Sequence, residues 1–250
     1  PYGFSEDLRL CSGSPRVWKS SNLKGERAIS YNLSADYYAK KYQFSINIFR
    51  TNLKDKIQFS PADDEVKKFG YSYQWENVDD AYVQGVELGA KANLFRNFNA
   101  GINWTFNQGK FKHERADWSD PNDETVKEFP QRLQYAKDSR NISRFPAMTG
   151  DIDLDYTPGT WTFSLTSSLQ GRMFIDYNSE DDGATSKIKK TNTFMIFNCR
   201  AAKRFGTCTV YAGAKNIFSY IQDEKHTDDA AFMYAPVYGA TWYVGLSVKL

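Results

Sequence analysis

The sequence predicts an all-β protein, an antiparallel β-barrel that crosses a membrane. Two observations carry that prediction. About nine segments alternate apolar and polar residues with period two, and the connections between them alternate strictly, short then long. Arg27 to Lys40 sets Ile29, Tyr31, Leu33, Ala35 and Tyr37 against Ser30, Asn32, Ser34 and Asp36. Tyr42 to Leu53 sets Phe44, Ile46 and Ile48 against Gln43, Ser45 and Asn47. Ala81 to Leu94 carries Val86, Leu88 and Ala90 opposite Gly85, Glu87 and Lys91, and Phe98 to Asn107 carries Ile102, Trp104 and Phe106 opposite Asn103 and Thr105. Met148 to Tyr156 sets Ile152 and Leu154 against Asp151, Asp153 and Asp155, and Trp161 to Leu169 follows with Phe163 and Leu165. Thr193 to Ala202 and Cys208 to Phe218 alternate less cleanly. Ala240 to Leu250 alternates into the terminal carboxylate, with Trp242, Val244, Leu246, Val248 and Leu250 on one side.

The connections separate the possible architectures. The short ones are Ala39-Lys40-Lys41, Phe95-Arg96-Asn97, Thr157 to Thr160 and Lys203 to Thr207. The long ones run from Lys54 to Asp80, Gln108 to Ala147, Gln170 to Asn192 and Ser219 to Gly239. Up-and-down membrane barrels place short turns at one rim and long loops at the other. A soluble sandwich has no reason to do so, and structureless loops beyond about 15 residues are uncommon in compact domains. Strands of about 9 to 14 residues also suit a tilted crossing of a ~30 Å apolar layer. The row Asp151, Asp153, Asp155 is costly in lipid and therefore belongs on the lumen side, with Glu87 and Lys91.

Composition narrows the function classes. The chain has 250 residues and a net charge of +2, too small to argue for nucleic acid. No run of about 18 apolar residues exists, so no helix crosses a bilayer. The 16 Tyr, 18 Phe and 6 Trp suit aromatic girdles at the two membrane interfaces. His113 and His226 have no serine and acid partners at informative spacing, no Cys/His cluster suggests a metal site, and no glycine-rich phosphate loop occurs. Catalytic residues, a resident metal and a cofactor are therefore not expected. Cys199 and Cys208 flank a turn and leave two readings open, a cross-hairpin disulfide or two small apolar side chains; Cys11 lies in a loop. With an odd strand count and residues 1–26 read as an external loop, the chain is expected to be the C-terminal portion of a larger barrel, its strands filling 27–250.

Four motifs resemble one family, the TonB-dependent outer-membrane transporters. Asn22-Leu23-Lys24-Gly25-Glu26 is similar in part to the family's segment before a barrel strand. Asn77 to Leu88, with Ala81, Gly85, Val86 and Glu87, resembles its Asn-x-x-x-Ala-x-x-x-Gly-Val-Glu-Leu stretch. Ala214-Lys215-Asn216-Ile217-Phe218 resembles the end of the penultimate strand. Tyr243, Gly245, Val248 and Leu250 resemble the C-terminal assembly signal of outer-membrane barrels, with leucine in place of the usual terminal aromatic. Phe4 to Leu8 and Cys11 to Pro15 look like Bacteroides-type members.

The resemblance implies about nine C-terminal strands of a barrel of about 22 strands, occluded by an N-terminal plug that this chain does not contain. It implies uptake of a scarce nutrient complex across the outer membrane of a Gram-negative cell, with energy delivered by the TonB complex through the plug. Cobalamin, a ferric siderophore and haem are the ligands considered, cobalamin being preferred for the Bacteroides-type look and not for any residue chemistry, with a small-molecule or metal-chelate ligand, outer-membrane lipid and a surface lipoprotein as partners. A passive porin and a glycan or peptide importer with a lipoprotein lid stay open. Loop aromatics are the candidate ligand contacts, above all Trp18, Trp75, Trp118, Tyr177, Tyr220, Tyr234 and Tyr238, with Tyr71 and Tyr73 beside them. Aromatic rings give large, stiff contact area at low entropic cost. Loop charges at Asp181, Asp182, Asp228, Asp229, Lys187, Lys189 and Lys190 are weaker candidates.

Overall fold

A computed structural model describes residues 17–19, 22–62, 64–178, 187–222 and 234–249. Cys11, the 4–15 stretch, Asp181, Asp182, His226, Asp228, Asp229 and Leu250 lie outside the described residues. The strands are β1 (Val17–Lys19), β2 (Arg27–Tyr38), β3 (Tyr42–Pro61), β4 (Tyr73–Phe95), β5 (Phe98–Phe111), β6 (Met148–Tyr156), β7 (Trp161–Gln170), β8 (Phe174–Asn178), β9 (Lys187–Lys190), β10 (Phe194–Phe205), β11 (Cys208–Lys215) and β12 (Thr241–Val248). One antiparallel sheet runs β12-β11-β10-β7-β6-β5-β4-β3-β2, so sequence neighbours are spatial neighbours once the β8–β9 hairpin is set aside. This is the up-and-down order that the alternation predicts, and each expected strand is present.

The ladder register fixes two faces. Residues directly opposite one another form rungs such as Leu33–Ile48–Val86–Phe106 and Tyr37–Phe44–Ala90–Ile102–Ile152. Much of this face stays open on the surface: Leu33 is 72% exposed, Trp242 77% and Val244 80%. An apolar face this large is stable only if something other than water covers it, and the bilayer is the cover its dimensions fit. From Phe98 to Phe106, β5 covers roughly 27 Å along the strand, of the order of the ~25 Å apolar band of such barrels.

The opposite face is a polar lattice. Ser34 Oγ donates to Asn47 Oδ1 at 2.9 Å, and Asn47 Nδ2 donates to Glu87 Oε2 at 2.9 Å. Asn103 Nδ2 donates to Asp151 Oδ2 at 2.7 Å, and Ser164 Oγ donates to Asp155 Oδ1 at 2.6 Å. Asp151, Asp153 and Asp155 thus share the side of Glu87 and Lys91, away from Ile152 and Leu154, as the cost of carboxylates in lipid requires.

At the short-turn rim, an aromatic belt runs across the apolar face. Phe95 stacks on Phe98 at 4.8 Å, Tyr156 stacks with Phe163 at 6.5 Å, and Phe163 stacks on Trp161 at 5.6 Å. Lys203 Nζ lies over the Trp161 and Phe205 rings at 4.9 and 5.0 Å. Three of the turns use left-handed backbone, at Asn97 (φ 67°), Gly159 (φ 62°) and Gly206 (φ 58°), where asparagine is tolerated and glycine carries no Cβ penalty.

Two features depart from the sequence reading, and a third decides a point it left open. The connection from Lys54 to Asp80 is largely strand: β3 and β4 continue as an arm, broken by a bulge between Leu53 and Lys56 and by Asp55 at φ 54°. The bulge shifts the period, which is why alternation stopped there. Val17–Lys19, inside the expected external loop, pairs in parallel with Tyr73–Trp75, on the edge of β4 that β5 leaves open. Cys199 stands opposite Ala214 and Cys208 opposite Phe205, six residues along the ladder, so they lie roughly 20 Å apart and both thiols are free.

The C-terminal glycine has a packing reason. The Tyr211 ring occupies the space a Cβ on Gly245 would need, while Tyr243 covers Gly213 in the same way. Tyr211 and Tyr243 meet edge to face at 6.3 Å. Gly245→Val should therefore slow assembly, and Tyr211→Ala should partly restore it. Val244→Arg should cost roughly 2–4 kcal/mol if the residue lies near the midplane. Heat-modifiable electrophoretic migration and membrane abundance check both.

Candidate functional site

The long connections gather at one rim, and their described residues pack into three small clusters. On the β3–β4 arm, Trp18 lies edge to face with Tyr71 at 5.0 Å and stacks on Phe69 at 6.2 Å. Phe69 remains 68% exposed, so this cluster keeps an open aromatic surface. Trp75 is half-buried in β4, opposite Lys19 and Phe59.

Residues 112–147 carry a knot of single helical turns: α1 (Ala116–Ser119), α2 (Glu124–Glu128), α3 (Arg132–Tyr135) and a 3-10 turn, Ala136–Arg140. Trp118 is its centre, 1% exposed, packed with Ala136, Phe129, Tyr135 and Phe174. Buried Ser139 accepts the Arg115 N–H at 3.0 Å and donates to the Ala136 carbonyl at 2.6 Å. Arg144 N–H donates to the Phe174 carbonyl at 2.8 Å, fastening the knot to β8. Trp118 therefore stabilises the loop and presents little surface to a ligand.

The third cluster lies toward the polar face. Phe194 pairs with Gln170, which shares the side of Ser164, Thr166 and Ser168. Tyr220 stacks on Phe194 at 4.9 Å, Tyr234 sits 6.2 Å from it, and Met173 closes the group. The last long connection is thus drawn over the inner side of the sheet.

Three side-chain amides hold it there. Asn216 Oδ1 accepts the Tyr220 N–H at 2.9 Å, while its Nδ2 donates to the Tyr220 and Tyr238 carbonyls at 2.7 and 3.2 Å. Its own N–H donates to Asn198 Oδ1 at 3.0 Å, and its φ is 52°, a conformation Asn tolerates. Gln222 Oε1 accepts the Tyr234 and Ala235 N–H groups, and Gln170 Nε2 donates to the Tyr234 carbonyl at 3.3 Å.

The expected residues therefore fall into separate places. Tyr220 and Tyr234 come together, Trp118 is enclosed in the neighbouring knot, and Trp18 and Trp75 sit on the arm. Tyr238 is 79% exposed. Tyr177 lies in β8 opposite Ile188, and Lys187 and Lys189 lie in β9. Lys190 is 3.6 Å from Asp138 and so ties β9 to the helical knot. Sequence reasoning missed Phe194, Met173, Asn216 and Gln222. Asn216 was visible as part of a motif, but its role as a loop anchor depends on contacts with residues before and after it.

His113 serves the arm. Its N–H donates to Asp79 Oδ2 at 2.7 Å, and its Nδ1 is 3.0 Å from Asp79 Oδ1. Burial alone would raise the Asp79 carboxyl. The hydrogen bonds from His113 and from the Asp80 N–H, with the charge of His113, outweigh burial and hold it below its ordinary value of 3.8. A depressed carboxyl contributes stability above its unfolded pKa and loses it as pH falls through the folded value.

A protein-family model described as TonB dependent receptor-like, beta-barrel matches residues 2–217. Among solved structures, the FrpB iron transporter from Neisseria meningitidis aligns with TM-score 0.63 at 14% identity, over 93% of this chain and 32% of that one. The copper transporter OprC aligns with TM-score 0.61 at 20% identity, over 90% and 31%. The siderophore receptor PirA from Pseudomonas aeruginosa aligns with TM-score 0.58 at 17% identity, over 94% and 32%. The chain thus spans about a third of the length of each, and at these identities the likeness speaks for the fold.

Two outcomes follow from the loop geometry. Trp118→Ala should destabilise the helical knot by roughly 3–5 kcal/mol, seen as faster protease cleavage within residues 112–147 while heat-modifiable migration is unchanged. Lowering the pH below about 3.8 should loosen the arm near Asp79, and Asp79→Asn should remove that acid-dependent increase in cleavage.

Proposed function

The chain belongs to the TonB-dependent receptor-like β-barrel family, and from that premise we propose that it forms wall and mouth of an outer-membrane importer for a chelated metal. Members of this family are outer-membrane proteins of Gram-negative bacteria. In this reading the sheet contributes a stretch of barrel wall, and its polar face lines the lumen. Energy arrives from the TonB complex through a plug outside this sequence. The wall performs no covalent chemistry.

The carrying observation is the aromatic lining at the long-loop rim. Half-buried Tyr220 lies toward the lumen side on a buried base of Phe194, Met173 and Tyr234, while Trp18 and Tyr71 are half-buried and Tyr238 is exposed elsewhere on the rim. Flat, apolar, polarisable surfaces suit the organic shell of a complexed metal. The transporters of similar fold are named for iron, copper and siderophores. A ferric chelate is therefore the favoured cargo. Trp18, Trp75, Tyr177, Tyr220 and Tyr238 remain the proposed contact set, with Tyr220 toward the lumen and Tyr234, buried behind it, as support.

The test uses the full-length receptor in cells and in detergent. Uptake of a radiolabelled ferric siderophore should require the receptor and collapse when the proton-motive force is dissipated. Tyr220→Ala should weaken binding of the same chelate by about tenfold or more, with migration of the barrel unchanged. Uptake that persists without the proton-motive force would identify a passive pore. Uptake of cobalamin in place of any iron chelate would move the cargo assignment to cobalamin.

A further inference from the structure

The apolar face ends abruptly at the long-loop rim. The rung Leu33–Ile48–Val86–Phe106 is wholly apolar; the next reads Tyr31–Arg50–Gln84–Gln108, and the one beyond it Ile29–Asn52–Tyr82–Lys110. Arg27 and Lys54 follow as direct cross-strand neighbours. The ladder is unbroken from Tyr42 to Leu53 on β3, and Lys54 continues the β2 pairing, so these cations point to the same side as the apolar band. They stand on the outward side of the wall, away from the lumen.

Arg50 is fixed in place. Its Nη1 donates to Gln84 Oε1 at 2.8 Å, and its Nε donates to Asn52 Oδ1 at 3.0 Å. Gln84 is itself held, its Nε2 donating to Gln108 Oε1 at 2.9 Å. The guanidinium lies over the Tyr82 ring at 4.5 Å. All these partners are neutral. No ion pair among the described residues includes Arg27, Arg50, Lys54 or Lys110. Asp80, two residues before Tyr82 on β4, stands at the level of Arg27 and Lys54, and its Oδ1 accepts the Asp55 N–H at 3.2 Å.

We propose that this cationic rim binds the phosphate groups of a phosphorylated lipid headgroup in the leaflet on the long-loop side. Its depth is the first reason: it begins one rung above the apolar band, where headgroups lie. Its charge is the second. Like charges directly opposite on a sheet repel, as at Arg27 and Lys54, and an anion between them removes the conflict. The third is the pre-set Arg50 fork, which keeps unused N–H donors and matches a phosphate's oxygens. The site concerns membrane placement only, so its success or failure is separate from the identity of the cargo.

The full-length receptor is reconstituted into phosphatidylcholine nanodiscs doped with a bisphosphorylated glycolipid or with its dephosphorylated form. Retained glycolipid is then counted by native mass spectrometry. The receptor should hold the phosphorylated form preferentially. Arg50→Gln combined with Lys54→Gln and Lys110→Gln should lower that retention at least about tenfold. Lys40→Gln with Lys41→Gln, at the opposite rim, should leave it unchanged. Arg50→Lys alone keeps the charge and removes the fork, so it should weaken retention while preserving the fold. Equal retention of the two lipids, or unchanged retention in the triple variant, would overturn the site. So would displacement of the glycolipid by inorganic phosphate at equal concentration, which would point to a free anion as the occupant.

Discussion

Satisfaction of backbone polar groups is the constraint on which the rest of this structure depends. A segment in hydrocarbon has no water to accept its N–H and C=O groups, so a strand can cross only when both its edges are paired. The nine-stranded order does this for every internal strand from β3 to β11. Once backbone needs are met in the plane of the sheet, side chains are free to separate by face. Period two then places Val86 and Leu88 on one side and Glu87 on the other without conflict. The polar face can afford a lattice of Ser, Asn, Asp and Glu because it never meets lipid.

The same constraint explains what the sequence made legible. Strands in the membrane band must alternate strictly, since a one-residue slip would put Asp153 or Glu87 into lipid. Their existence, their order and the side each residue faces could accordingly be read from residues alone. Above the band water satisfies stray backbone groups, so alternation relaxes. That is where the reading ran out. The bulge at Leu53 to Lys56 concealed the β3–β4 arm, and helical turns of four or five residues were too short to show a period. The pairing of Val17–Lys19 with β4 depends on an edge that only the finished arm creates.

The aromatic content of the long-loop rim was legible in composition, and its arrangement was not. Aromatic residues in long connections pointed to recognition, but the loops sort them by packing. Trp118 became the centre of a helical knot, whereas Tyr238 stayed open to solvent. Tyr220 and Tyr234 met across a long separation through Phe194 and the amides Asn216 and Gln222. The contacts made by Phe194 and Gln222 have no local sequence pattern. The residues that do carry one, Asn216 and Gly245, carry it because each solves a backbone problem: a left-handed turn for the first, a ring pressed against the strand for the second.

The central claim is that the two faces of this sheet meet different media. Spin labels placed singly at Val244 and Asp153 of the full-length receptor in lipid bilayers test it most directly. Collision with oxygen, which partitions into lipid, is compared with collision with a water-soluble nickel chelate. The account predicts oxygen-dominated relaxation at Val244, and at Asp153 a polar environment with little oxygen exposure. Oxygen-dominated relaxation at Asp153 with nickel access at Val244 would contradict it.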